Sequence, residues 1–296
     1  MLTTAQAFDK FRQNLELSDT EAKDAQKRHK DVRATIAAEF AIEKDFLSGS
    51  YARHTKTKPL KDVDILFVLG KDERWRRDGT PIAMLTAFEA SLKKTYTGKD
   101  QVSIRRRSVS VEFEKPSYND DHPGKILSID AVPAFSCAEG YEIPDKVTGK
   151  WIKTNPDTHA AKATAKNKAL GGNWVPLVKM LRGWNRHHGK PIQPSFLVEV
   201  MAENIITAPF SDYPTEARNF FAAAADSIAR SWPDPAGLGP LVSDQMTADL
   251  IAKAQMALRE AERLATVAAR LERSNQGEAL KSLSVNIIWD YKAFAA

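Results

Sequence analysis

One cysteine, Cys137, stands in 296 residues, so no internal disulfide can form and stability has to come from packing. That scarcity points to a reducing compartment, and the cytoplasm is the expected location. No apolar run approaches membrane-spanning length, and the opening MLTTAQAFDKF lacks the apolar core of a signal peptide, so no membrane partner is expected. Charge of one sign is also in short supply. Lys and Arg number 43 against 38 Asp and Glu, a net of +5. That excess suits an anionic ligand but is too small for this length to require nucleic acid. There is no internal repeat and no low-complexity tract. What remains is 43% hydrophobic and 27% charged, an ordinary globular composition with room for one bilobal unit or two modest domains.

The most informative stretch runs from Phe46 to Gly70, FLSGSYARHTKTKPLKDVDILFVLG. A short apolar lead, Phe46 and Leu47, enters a turn of small residues, Ser48-Gly49-Ser50. A polar, basic segment follows, and Asp62-Val63-Asp64 then opens a run of β-formers. Strand alternation puts Asp62 and Asp64 on one face and Val63, Ile65 and Phe67 on the other. Paired carboxylates downstream of a small-residue turn suit a triphosphate bridged to protein by Mg²⁺ or Mn²⁺. Such ions are held by one or two carboxylates plus substrate phosphates, and glycine lets backbone approach a phosphate closely. A third acid strengthens the pattern. Lys125 to Phe135, KILSIDAVPAF, reads as a second strand in which Asp130 is the one carboxylate of an apolar run. A buried carboxylate needs a cation, hydrogen bonds or water.

Around this centre the chain reads as an α+β protein. Thr3 or Thr4 caps a first helix carrying Phe8, Phe11 and Leu15, and Ser18 with Glu21 forms a capping-box signature for a longer one. Lys71 to Thr80 reads as a charged loop, Ile82 to Tyr96 as an amphipathic helix, and residues 102–107 and 108–113 as strands. The basic triplet Arg105-Arg106-Arg107 between them reads as a solvated edge. Pro116 to Gly124 is a loop signal, and Lys146 to Lys150 looks like a hairpin tip. From Asn155 onward helices dominate: 155–170, 173–188, 195–206, 214–229 and 243–273. The expected architecture is a mixed-sheet lobe over residues 1–154, with helices against one side of the sheet, and a helical lobe over 155–296. A ligand is expected in the cleft between them.

The arrangement Gly-Ser, eleven residues, Asp-x-Asp resembles the signature of the polymerase-β-like nucleotidyltransferases. Further motifs resemble one branch, the CD-NTases, bacterial cyclic-oligonucleotide synthases of anti-phage (CBASS) signalling related to cyclic GMP–AMP synthase and the oligoadenylate synthases. They are Gly-Ser-Tyr-x-Arg-x-Thr at Gly49–Thr55, Ile-Asp-x-Val-Pro around Asp130, and Trp-x-x-x-x-Pro at Trp151–Pro156. Lys-x-x-Arg-x-Trp-Asn at Lys179–Asn185 and Ser-Phe-x-x-Glu at Ser195–Glu199 complete the set. The resemblance implies a bilobal polymerase-β-like fold and a metal-dependent synthase that takes ATP, GTP or other nucleoside triphosphates as substrates. It implies that Gly49 and Ser50 bind the donor triphosphate, that Asp62 and Asp64 hold two Mg²⁺ (or Mn²⁺) ions, and that Asp130 completes the inner one. Lys179 or Arg182 would reach the phosphates, Ser195 would hydrogen-bond the triphosphate, and Phe196 would stack on the base where relatives often carry tyrosine. A nucleic-acid partner is not required by this pattern, and it leaves room for a regulatory protein partner. His54 and His159 stay outside the catalytic set. Modification of an RNA end or a protein hydroxyl, and nucleotide binding without catalysis, are the competing readings of the same residues.

Overall fold

The computed structural model describes residues 4–98, 101–114 and 128–273, with side chains described to residue 270. The expected loop at Pro116–Gly124, the first three residues of the Lys125–Phe135 strand, and the Trp289 and Phe294 region lie outside that range.

In chain order the elements are α1 (Thr4–Asn14), α2 (Asp19–Ala37), β1 (Ile42–Leu47), the one-turn α3 (Gly49–Ala52), β2 (Asp62–Leu69) and a 3₁₀ segment, Lys71–Arg77. They continue with α4 (Pro81–Thr95), β3 (Gln101–Ile104), β4 (Val109–Glu112), β5 (Ser128–Cys137), β6 (Gly140–Asp145) and β7 (Lys150–Thr154). The helices α5 (Pro156–Ala169), α6 (Trp174–His187), α7 (Ser195–Ile205), α8 (Tyr213–Ser227) and α9 (Ala248–Arg273) complete the list. No helix of the described residues is long and apolar enough to cross a membrane.

Two compact units divide these elements. One holds residues 17–160 with 236–239; the other holds the described residues up to 16, 161–235 and those from 240 on. The first helix, grouped by sequence with the sheet lobe, therefore belongs to the helical unit. The reason is a close packing of α1 on α6. Phe8, Phe11 and Leu15 join Trp174, Leu177, Leu181 and Trp184 in one core. A Cβ at Gly183 would lie 3.1 Å from the Phe11 ring, so the small residue sets how near the two helices come. The passage between the units falls within α5.

In the first unit the sheet order is β1-β2-β5-β4-β3, with β6 pairing β5 and β7 pairing β6. The β2–β5 pair is parallel and the others are antiparallel. Helices α2 and α4 cover one face. Val32, Ile36, Leu85 and Phe88 pack there on Val63, Ile65, Phe67, Ile129 and Ala131. Ser18 and Glu21 form the capping box expected at the start of α2, and Glu21 also accepts the Leu60 N–H at 3.4 Å, fastening the approach to β2. The opposite face is less covered, with a small cluster of Leu66, Val68, Val132, Ala134, Tyr141 and Ile143.

Three expectations need correction. β1 is a full strand pairing with β2 rather than an apolar lead, because Ile42, Phe46 and Leu47 each find a packing partner on the sheet. The Lys71–Thr80 loop contains a 3₁₀ turn held by the Arg76–Glu73 contact at 2.6 Å. The basic triplet is no solvated edge. Arg106 and Arg107 both reach the Asp145 carboxylate, at 2.9 and 3.0 Å, while Arg105 pairs with Glu112. Asp145 is fully buried and also accepts the Val147 and Thr148 N–H groups.

Burial alone would raise the Asp145 carboxyl pKa. The Thr148 N–H and the guanidinium groups of Arg107 and Arg106 outweigh it and hold the value below the usual range. Its contribution to stability is therefore intact above the ordinary carboxylate range and is lost as pH falls through the depressed value. Asp145→Ala should cost about 3 kcal/mol, since two cations and two N–H groups lose one shared acceptor. The measurement is the urea midpoint at neutral pH, which should fall.

Candidate active site

The site is built on two neighbouring parallel strands. In the β2–β5 register Asp62 lies opposite Ser128 and Asp64 opposite Asp130. Alternation sends Val63, Ile65 and Ile129 into the helix-covered core, so all three acids share the other face. Asp62 is exposed; Asp64 and Asp130 are half-buried.

The small-residue turn is drawn onto that face by β1. Leu47 pairs with Ile65, and the next residue, Ser48, donates its N–H to the Asp64 carbonyl at 2.8 Å. The chain then turns at Gly49, whose φ is +59°. A Cβ built on Gly49 would sit 1.8 Å from Asp64 Oδ2, inside bonding distance, so no larger residue fits without moving the carboxylate. The Ser50 carbonyl accepts the N–H groups of Thr55 and Lys56 at 3.0 and 3.1 Å, folding the basic segment back over the turn. Lys56 Nζ lies 3.8 Å above the Tyr51 ring. Gly49, Ser50 and Asp64 are thus locally interdependent.

Asp130 is the electrostatic exception. Burial raises its carboxyl pKa above the usual range; a hydrogen bond from Ser110 opposes the rise, the charge of Asp62 adds to it, and Arg105 and Glu112 act in opposite senses. Ser110 stands directly across from Asp130 on β4. The Oδ1 atom of Asp130 is buried and has no hydrogen-bond partner among the described residues. Ser110 escaped the sequence reading because serine in the alternating run Ser108–Glu112 looks like any strand residue. Only the register of β4 against β5 reveals its partner.

The donor set fits a divalent cation. It consists of oxygens only, and one of them is buried without a hydrogen-bond partner among the described residues. Among the described residues no three acidic, histidine or cysteine side chains form a cage by themselves.

The other candidates belong to the helical unit. Lys179 is buried and bound to both oxygens of Glu16, at 2.8 and 2.7 Å. Arg182 pairs at 3.3 Å with Glu199, which is only 2% exposed. Trp184 is core, and Asn185 brackets Ile192, donating to its carbonyl and accepting its N–H at 2.9 Å each. Much of the Lys-x-x-Arg-x-Trp-Asn motif therefore holds α6 to its neighbours. Ser195 opens α7, and Phe196, half-buried, packs against the helical core.

A mixed sheet with an Asp-x-Asp strand beside a third acid, joined to a helical unit, is the polymerase-β-like nucleotidyltransferase architecture. Residues 1–167, more than half the chain, match the model of the Second Messenger Oligonucleotide or Dinucleotide Synthetase domain family, and the chain belongs to it. A cyclic AMP-AMP-AMP synthase of Acinetobacter sp. (strain ATCC 27244 / 9458) is 27% identical over 254 residues, covering 81% of this chain and 68% of the relative. The structure of E. coli MS115-1 CdnC with ATP shares the fold at TM-score 0.72 and 17% identity, over 97% of this chain and 98% of that one. A CdnC:HORMA-deltaN complex from the same source gives 0.68 at 19% identity, over 96% of each chain.

Two outcomes follow from this geometry. Because burial favours the protonated form of Asp130, its ionisation costs stability. That cost is absent below the ordinary carboxylate range and grows as pH rises through the raised value. Asp130→Asn should therefore melt higher than the parent in metal-free buffer near neutral pH, and the gain should shrink toward about pH 4. Thermal melts across pH test it. Gly49→Ala should lose about 1–2 kcal/mol from left-handed strain alone. It should also displace Asp64, so titration with a fluorescent nucleoside triphosphate should show a larger fractional loss of binding than of stability.

Proposed function

We propose that this chain joins nucleoside triphosphates into a cyclic or short linear oligonucleotide messenger, releasing pyrophosphate at each bond. The observation that carries this reading is the Gly49 turn seated against Asp64, with Asp130 opposite on the neighbouring strand, in a chain of this synthetase family. ATP is the first substrate to try, since a relative is a cyclic AMP-AMP-AMP synthase.

In the reaction a ribose hydroxyl of the acceptor attacks the α-phosphorus of the donor. The bond from that phosphorus to the β-phosphate bridging oxygen breaks, and pyrophosphate leaves. Gly49 and Ser50 hold the triphosphate. Asp62 and Asp64 would hold the divalent ions, and Asp130 orients the acceptor hydroxyl. It also takes the hydroxyl's proton, since burial favours the protonated form of its carboxyl. When bound by these acids, Mg²⁺ or Mn²⁺ would supply the positive charge that lowers the hydroxyl pKa and neutralises the leaving group.

In the helical unit, Ser195 is assigned to the triphosphate and Phe196 to the base. Lys179 and Arg182 are already engaged by Glu16 and Glu199. A direct phosphate contact by either would require it to exchange partners. A messenger role in anti-phage defence, and a regulatory protein partner of the kind seen on CdnC, complete the proposal.

Purified protein with Mg²⁺ or Mn²⁺ and ATP, without primer, should yield small phosphatase-resistant products detectable by mass analysis. Asp64→Asn should lower that turnover at least ~1000-fold, as expected when charge stabilisation of the transition state is lost. Label appearing only on added RNA or protein would move the assignment to an end- or protein-modifying transferase. Binding of triphosphate with no turnover would leave a non-catalytic module.

A further inference from the structure

The Asp130 carboxylate meets a specific side chain on each flank. Asp64 stands across from it on β2, and Ser110 across from it on β4. Directly opposed residues on adjacent strands hold their Cβ atoms about 5 Å apart, so both neighbours are within reach. Ser110 is 2% exposed and directly across from Asp130, which puts its hydroxyl in position to donate to the carboxylate. The Oδ1 atom of Asp130 is buried with no partner among the described residues, which leaves Oδ2 as the oxygen for such a bond. Asp130 thus has a neutral donor in register beside it and one buried oxygen without a partner among the described residues.

We propose that Ser110 is a positioning residue for the transfer reaction: by tethering one oxygen of Asp130 toward β4, it reserves the other for the divalent cation and keeps the carboxylate from swinging. The inference rests on the synthase reading above. A hydroxyl suits the task better than a cation. An Arg or Lys at this register position would bring a charge that competes with the incoming ion, whereas serine fixes the geometry and leaves the negative charge uncompensated. The same tether draws the carboxylate away from Asp64, limiting repulsion between two acids that stand side by side. Glu112 is the next acid along the same face of β4, and it is occupied by Arg105.

The test compares Ser110→Ala, Ser110→Cys and Ser110→Thr with the parent. Mn²⁺ binding is read by electron paramagnetic resonance, ATP turnover as kcat and KM, and folding by thermal melts. Loss of a hydrogen bond to a charged group predicts about tenfold weaker Mn²⁺ binding and about tenfold lower kcat for Ser110→Ala, with KM for ATP little changed. Ser110→Cys, close in size but a poor donor, should match Ser110→Ala, whereas Ser110→Thr should recover most of both losses. Parental Mn²⁺ affinity and kcat in Ser110→Ala or Ser110→Cys would overturn the proposal and leave serine as packing. So would defects in all three that simply track the melting temperature. If the parent itself makes no product from any nucleoside triphosphate, the synthase reading fails, and the Mn²⁺ comparison alone decides the role of Ser110.

Discussion

The turn at Gly49 lies so close to Asp64 that a single added carbon would overlap the carboxylate, and the site depends on that contact. It follows from a chain of simpler requirements. β1 has to pair with β2 so that Leu47 reaches Ile65. The Ser48 N–H then finds the Asp64 carbonyl, and the backbone has to reverse at once in a conformation that glycine adopts without strain. Sheet pairing thus sets the distance between the Gly49 turn and the acid beside it. Neither partner can be moved independently.

A second pattern is the handling of charge in the interior. Asp145 collects two guanidinium groups and two N–H groups. Asp24 and Arg28 pair within α2, with the guanidinium 3.9 Å above the Phe113 ring. Glu199 meets Arg182. In each case a buried charge has a counter-charge close by, as burial demands. Asp130 departs from this pattern. A neutral serine stands across from it in register, and its Oδ1 has no partner among the described residues. An acid left short of partners in a protein that otherwise supplies them is better explained by a ligand than by structure.

Much of the fold class was legible in the residues. The capping box at Ser18, the glycine pair after α5 and the apolar stripe of α6 each mark a helix by local chemistry, and the alternation of 62–67 sorts acids from core. Less legible was anything fixed by distant pairing. Residues 42–47 look like a lead-in until β2 is placed beside them. Ser110 is an ordinary strand serine until β4 is set against β5, and the arginine triplet resembles a surface edge until β6 brings Asp145 to it. The helical-unit candidates show the converse limit. Lys179 and Arg182 look like spare cations in one dimension because Glu16 and Glu199 are remote or one element away in sequence. The start of α9 also moved, from Ser243 to Ala248, because residues 242–245 form turns in which Ser243 Oγ accepts the Trp232 N–H.

The parallel pairing of β2 with β5 has a consequence for biosynthesis. Asp64 and Asp130 face each other across 66 positions of chain, a loop that includes α4, β3 and β4. Contacts of such long range form late, because loop-closure entropy has to be overcome before the pairing rewards it. A chain still emerging from the ribosome carries the Gly49 turn and both Asp-x-Asp acids well before it carries Asp130. It therefore lacks the third acid of the proposed centre. As proposed, that centre is complete only once the sheet has closed.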